Sequence, residues 1–253
     1  TVFKLIMFST TFFRLLIFTA TVCAGNVLSS ARAAEPLEVS GITEPFTDVT
    51  LGLSDAGIIH KQFFKEGESV KKGDVILELD KNLETLEVAR RKAVRDQNQM
   101  VYESTQQLSE STKSVSKTDL QKAQAEYEVS EADYGIAVQQ LTNRELIAPF
   151  SGTITEITLK PGAAVAPYQP LVRLVDTSRC YFVGHIEGKF AGSLQSDEAV
   201  KIQTDDGQTV SGKISFISPT VDAASGLVRV KAIFDNADGK IRPGLAARMI
   251  CSQ

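Results

Sequence analysis

A chain of 253 residues, 43 % hydrophobic and 23 % charged, is long enough and apolar enough to close two or more small cores. A net charge of −4 leaves no dominant basic face, which argues against nucleic-acid binding as the main activity. With no Trp and 7 % aromatic residues, a stacking platform for bases or sugars is not expected either.

Residues 1–33 stand apart. Lys4 and Arg14 are the only charges before Arg32, and Leu15–Gly25 is an uncharged, largely apolar run of signal-peptide length. Ala31-Arg32-Ala33 supplies a small-x-small pattern, so a signal peptide over 1–33 and export are expected. An uncleaved anchor and a lipoprotein are the rival readings. Val2–Phe13 is also apolar, but Arg14 interrupts the span short of about 20 residues. Cys23 as a lipid-bearing residue is disfavoured by the bulk of Val22 before it. Cleavage leaves Cys180 and Cys251. They could pair in an oxidising compartment, but isolated cysteines on apolar strands are at least as often simply buried. His60 and His185 have no Cys or His at ligand spacing, so no metal site is expected.

Leu37–Ile42 and Thr47–Leu51 alternate as strands, with Gly41 and Pro45 marking a break, and are expected to lie beside the segment that follows. That segment occurs twice. Gly57–Val70 is answered 95 residues on by Gly152–Val165, with identical pairs Gly57/Gly152, Ile59/Ile154, Lys65/Lys160, Gly67/Gly162 and Val70/Val165, and the register continues to Leu79/Leu174. Each copy reads as an alternating strand, a Gly turn and a second apolar strand. One such hairpin is marginal in water, whereas two facing each other close a small sandwich. Everything between them is then an insertion.

From Lys81 to about Leu146 Gly is nearly absent, Pro is absent, and Glu, Gln, Lys, Ala and Ser dominate, which is helix composition. Leu120, Tyr127, Tyr134 and Leu141 recur at seven, with Ala123, Ser130 and Ala137 between them. Upstream, Leu86, Ala93 and Met100 recur at seven, flanked by Val94, Val101 and Leu108, which predicts the matching seam. Residues 109–116 are poor in apolar side chains, and Ser116 with Asp119 resembles a capping box. Two antiparallel helices are expected, with Tyr127 and Tyr134 packing across the pair and Arg90-Arg91-Lys92 on a solvated face. A helix of about 27 residues extends about 40 Å, and the narrow seam predicts a hairpin that projects into solvent. Beyond it, short strands at 180–187, 199–203, 209–217, 227–232 and 245–251, with Asp205-Asp206-Gly207 as a hairpin turn, predict a small barrel or sandwich.

Gly67-x-x-Val70-x-x-Gly73-Asp74-x-Ile76-x-x-Leu79-Asp80 and Leu146-Ile-Ala148-Pro149-Phe150-Ser-Gly152-x-Ile154 resemble the split biotinyl/lipoyl-like domain of periplasmic adaptor subunits. These are the HlyD-type membrane fusion proteins of tripartite efflux pumps, among them those working with resistance-nodulation-division transporters. Ile217-Ser-Pro219-x-Val-Asp222 and Asp235-Asn236…Arg242-Pro243-Gly244 are similar to the β-barrel domain of the same family. The resemblance implies a mostly β fold with an inserted α-helical hairpin. A split sandwich would occupy 37–80 and 146–176, the hairpin 81–145 and a small β-barrel 177–253. It implies a non-enzymatic adaptor without cofactor, located in the periplasm at the inner membrane. Its partners would be an inner-membrane transporter, an outer-membrane channel for small-molecule efflux, and further copies of itself in a ring. Joins at Pro149 and Asp176–Arg179 would serve as hinges.

The implied channel-docking tip comprises Leu108, Ser111, Ser116 and Asp119. Ser116 matches the family's Ser after the turn, and Leu108 lies one residue off the Leu position. No Arg stands in Tyr102–Gln107 where the family has one, and Gly226 replaces a usual Arg in the barrel. The family's membrane-proximal domain would follow the barrel and is expected to be missing. Two other classes are set against this reading. A lipoyl or biotinyl carrier would use a lysine such as Lys81, but carriers hold it at a tight turn and Lys81 leads into helix. For an enzyme, the sequence offers no nucleophile–base set, phosphate loop or carboxylate pair. An adaptor of an ATP-driven export system is the remaining alternative.

Overall fold

The computed structural model describes residues 37–112 and 115–251; the segment expected to be a signal peptide lies outside them. Strand β1 (Leu37–Leu51) precedes the first half-repeat, which contains β2 (Gly57–Gln62), β3 (Ser69–Val70) and β4 (Val75–Leu79). Helices α1 (Asn82–Thr112) and α2 (Lys117–Thr142) follow. Strand β5 (Glu145–Ile147) leads into the second half-repeat, which contains β6 (Gly152–Ile157), β7 (Ala164–Val165) and the start of β8 (Val172–Glu187). A short α3 (Gly188–Ala191) leads to β9 (Ala199–Thr204), β10 (Thr209–Ile217), β11 (Leu227–Asp235) and β12 (Ala246–Cys251).

The sandwich is built by exchange between the two half-repeats. One layer runs β5-β4-β2-β7, and the other is the β1-β8-β6-β3 part of the larger sheet. Each layer therefore takes strands from both halves, and the hydrogen bonds repeat at an offset of 95. Gly67 N donates to Ile154 O and Gly162 N to Ile59 O, both at 2.8 Å. Phe63 N donates to Ile76 O and Thr158 N to Leu171 O, both at 2.9 Å. Gly67 (φ 85°) and Gly162 (φ 90°) supply the left-handed turn that an L side chain would strain. The two apolar faces meet in one core around Ile59, Ile76, Leu79, Ile154 and Leu174.

The barrel closes in the order β1-β12-β9-β10-β11-β8, with β8 returning to β1. Its strands alternate between solvent and a second core around Phe182, Ile202, Ile214, Val230 and Met249. Gly41 and Gly184 face each other across the β1/β8 ladder. A Cβ on Gly41 would lie 2.2 Å from Val183 O and 2.7 Å from the buried Phe182 ring, so the pair makes room for that ring.

Three expectations change. The break anticipated in 37–51 is instead one strand of 15 residues with a bulge between Pro45 and Thr47, a place where the missing N–H of Pro45 is tolerated. That strand pairs with β12 and β8 rather than with β2. Likewise Val172–Leu174 and Cys180–Glu187 belong to a single 16-residue strand. Cys180 and Cys251 are both buried and free, and burial pushes each thiol up to about 11.

Candidate functional site: the helical hairpin

The hairpin starts and stops on local signals. Asp80 Oδ1 accepts from Asn82 N at 3.1 Å, and Glu84 lies in the first turn of α1 near the positive end of the helix dipole. Ser116 caps α2 in extended conformation, its oxygen accepting from Thr118 N at 3.2 Å. Asp119 occupies the first turn of α2, and its N–H bonds Ser116 O at 3.0 Å. Asn143 ends α2 with N–H to Gln139 O.

Along α2 the expected seam is present: Ala123, Ser130 and Ala137 are buried, and Leu120, Tyr127, Tyr134 and Leu141 are half-buried between them. On α1 the expected seam is wrong. Leu86 is 67 % exposed and Met100 65 %, and Val94, Val101 and Leu108 also face outward. The inward positions are Glu84, Val88, Arg91, Arg95, Asn98 and Tyr102, again at alternating spacings of four and three. Small residues on α2 leave space that long amphipathic side chains of α1 fill with their stems. Arg91 thus leaves the solvated face and pairs with Asp133. Arg95 pairs with Glu131 at 3.3 Å and lies over the Tyr134 ring at 4.8 Å. Tyr102 stacks on Tyr127 at 6.0 Å. Hydrogen bonds from Arg90 and Arg91 hold the Glu87 carboxyl at about 2, well below its ordinary 4.5.

At the base the hairpin is tied to the sandwich by two ionic groups. Lys81 Nζ sits 2.7 Å from Glu78 and 2.5 Å from Glu145; hydrogen bonds to Glu145 and then Glu78 raise its pKa. Arg144 bonds Glu84 at 2.6 Å and donates to Ala56 O at 2.7 Å beside a polar cavity of about 380 Å³. Sequence reasoning missed this tie. Its only signal was the charges bracketing the helices on the edge of the sandwich. Lys81 is thus engaged by two carboxylates, unlike the free lysine of a swinging carrier arm.

At the other end, Leu108 and Ser111 on α1 and Ser116 and Asp119 on α2 flank the turn, brought to one tip by the antiparallel helices. Ser111 Oγ donates back to Gln107 O at 2.7 Å, and Leu108 is 51 % exposed. Among the described residues no group of three or more His, Cys, Asp or Glu is placed to hold a metal ion, and no helix is long and apolar enough to cross a membrane.

A closed six-strand barrel fused to a two-layer sandwich with a helical hairpin in its middle defines a membrane-fusion architecture. The sequence agrees. Residues 48–177 match the barrel-sandwich hybrid domain of RND membrane fusion proteins, and residues 186–251 match the β-barrel domain of the same proteins. The chain belongs to the RND membrane fusion protein family, the periplasmic adaptors of efflux pumps. An uncharacterised protein of Haemophilus influenzae is 27 % identical over 216 residues, covering 84 % of this chain and 56 % of the relative, so the chain spans about half the length of that protein. The fold is similar to that of a MacA–MexA chimera carrying the Pseudomonas aeruginosa MexA α-hairpin (TM-score 0.73, 21 % identity, 86 % of this chain and 81 % of the other). It is also similar to a putative efflux transporter from Bacteroides eggerthii (TM-score 0.69, 21 % identity, 86 % and 69 %).

Proposed function

We propose that this chain is a non-enzymatic periplasmic adaptor, exported to the periplasm and associated with the inner membrane. It couples an inner-membrane transporter to an outer-membrane channel for efflux of small molecules. The observation that carries this reading is the hairpin itself, two helices of 31 and 26 residues inserted between the halves of the sandwich and tied to it at the base. At 1.5 Å per residue α1 reaches about 45 Å, enough to hold a docking tip away from the β domains. Leu108, Ser111, Ser116 and Asp119 form that tip and contact the channel. The working division is a split sandwich at 37–80 and 146–176, a hairpin at 81–145 and a barrel at 177–253. The outward apolar side chains of α1 support lateral association with further copies in a ring, because such a stripe on a projecting helix is otherwise left in water.

The test is cross-linking from intact envelopes, using Ser111→Cys and Ser116→Cys in a Cys23→Ser background. The buried thiols of Cys180 and Cys251 do not compete. Recovery of an outer-membrane channel through the tip, with an inner-membrane transporter in the same complex, is the expected result. An exported, folded protein that captures neither would end the bridging reading.

A further inference from the structure

The sandwich and the barrel have separate cores, and among the described residues the strands that run from one to the other are β1 and β8. These two are hydrogen-bonded to each other on both sides of the joint, from Leu51↔Val172 to Thr47↔Asp176 and from Pro45↔Cys180 to Gly41↔Gly184. Between those runs the register slips, so that Phe46 alone faces Thr177, Ser178 and Arg179. A ladder gap is where a two-stranded ribbon bends most easily, because no inter-strand pairing resists the change. On the β8 side the gap is held in shape by the neighbouring strand. Asn236 is buried, its Nδ2 donates to Thr177 O at 3.0 Å, and its N–H donates to Ser178 O at 2.9 Å.

Four side chains span this gap. The Arg179 guanidinium lies over the Phe46 ring at 3.8 Å from its centroid. Phe46 stacks on Tyr181 with centroids 5.6 Å apart and planes 25° from parallel. Lys231, from β11, lies over the Tyr181 ring at 5.4 Å. The stack therefore joins the one β1 residue in the gap to two residues of β8 and one of the barrel wall. Phe46 is half-buried and Arg179 exposed, so the contact is neither part of a core nor needed to close one. Cation–ring contacts at a partly exposed site are strong enough to bias an orientation and weak enough to open.

We propose that Arg179, Phe46, Tyr181 and Lys231 form a clasp that fixes the angle between sandwich and barrel, and that opening it releases bending at the Phe46 gap. This rests on the strand register and the stack, not on any partner, so it stands or falls independently of the bridging function.

The experiment is a distance measurement by double electron–electron resonance on the full chain. Spin labels are carried by Lys160→Cys in the sandwich and Gln203→Cys in the barrel, with Cys23→Ser to remove the third cysteine. Both label sites are exposed. Cys180 and Cys251 are buried and do not label. Arg179→Gln removes the cation over Phe46, and Phe46→Leu keeps an apolar side chain at the joint while removing the ring. In both variants the distance distribution is expected to broaden about twofold, with an unchanged melting temperature for Arg179→Gln. Lys122→Gln, which removes an exposed ion pair on α2 away from the joint and from both labels, is the control and leaves the distribution as in the parent. A distribution identical to the parent's in Arg179→Gln and Phe46→Leu overturns the clasp. So does a loss of thermal stability without broadening, since that is the signature of ordinary packing.

Discussion

The β cores and the helical hairpin are held together in opposite ways. The barrel and the sandwich each close on a buried apolar core, with Phe182, Ile154 and Leu174 fully buried, although Ile42, Ile58, Phe63 and Phe216 stay exposed. In the hairpin α1 turns arginines, an asparagine and a tyrosine inward and leaves Leu86, Val94, Met100 and Val101 outside. The cores gain stability from area removed from water, and the hairpin is zipped by ion pairs that are half open to solvent. A part that closes its own buried core is complete by itself. A projecting pair whose apolar surface is uncovered fits a role in which other chains supply the cover.

The comparison can be broken at its strongest point first. Phe182→Ala, in a site where the ring packs on the Gly41/Gly184 pair, is expected to cost about 3–5 kcal/mol in denaturant unfolding. A loss below about 1 kcal/mol would mean that the barrel is not closed around that ring. Asn236→Ala leaves the Thr177 and Ile241 carbonyls without their donor and is expected to cost roughly 1–3 kcal/mol. Arg95→Met sharpens the contrast from the other side. Arg95 Nε is buried 2.8 Å from the Asp96 carboxylate but makes no aligned hydrogen bond, and its other partner Glu131 is half open to solvent, so replacing the side chain with an apolar one is expected to change stability by about 1 kcal/mol or less in either direction.

The two half-repeats supply a smaller contrast. Gly73 N donates to Ala148 O as Tyr168 N donates to Leu53 O, and the turns match except that Tyr168 holds the left-handed position (φ 59°) with its side chain 81 % exposed. Tyr168→Gly is expected to raise stability by up to about 1 kcal/mol, read as an upward shift in melting temperature. The smallest effect concerns pH. The folded Glu87 pKa is depressed, so its ion-pair contribution is fully present above 4.5 and is lost as pH falls from there towards about 2. Helical circular dichroism is expected to hold steady between pH 7 and 5, and the Glu87→Gln variant to lose less helicity than the parent on acidification below that window.

Much of this was legible in the sequence, because the repeat carries its own geometry. The glycines at 67 and 162 mark left-handed turns, and an offset of 95 is reproduced bond by bond in the sandwich. The α2 seam was legible because Ala123, Ser130 and Ala137 are small at the spacing where the partner helix must approach. The α1 seam was not. Its apolar heptads are real but face outward, and nothing in a period of seven says which of two stripes meets the partner helix. The length of β8 was hidden for a different reason. Asp176–Arg179 has the polarity of a loop, yet Asn236, almost sixty residues further on, supplies the hydrogen bonds that let a bulge replace it. The tip residues were identified by resemblance to the adaptor family, and their sequence alone carries no docking signal.

The central claim is that the hairpin, and not the β cores, gains partners when the protein assembles. Hydrogen–deuterium exchange of the purified chain, compared with the same chain isolated from envelopes together with its co-purifying proteins, tests this directly. Amides of α1 from Leu83 to Leu108 and those of the tip are expected to exchange more slowly in the assembled sample, while β2, β4 and β6 of the sandwich remain unchanged. Equal exchange across the hairpin in the two samples, with stable co-purifying partners present, would contradict the account.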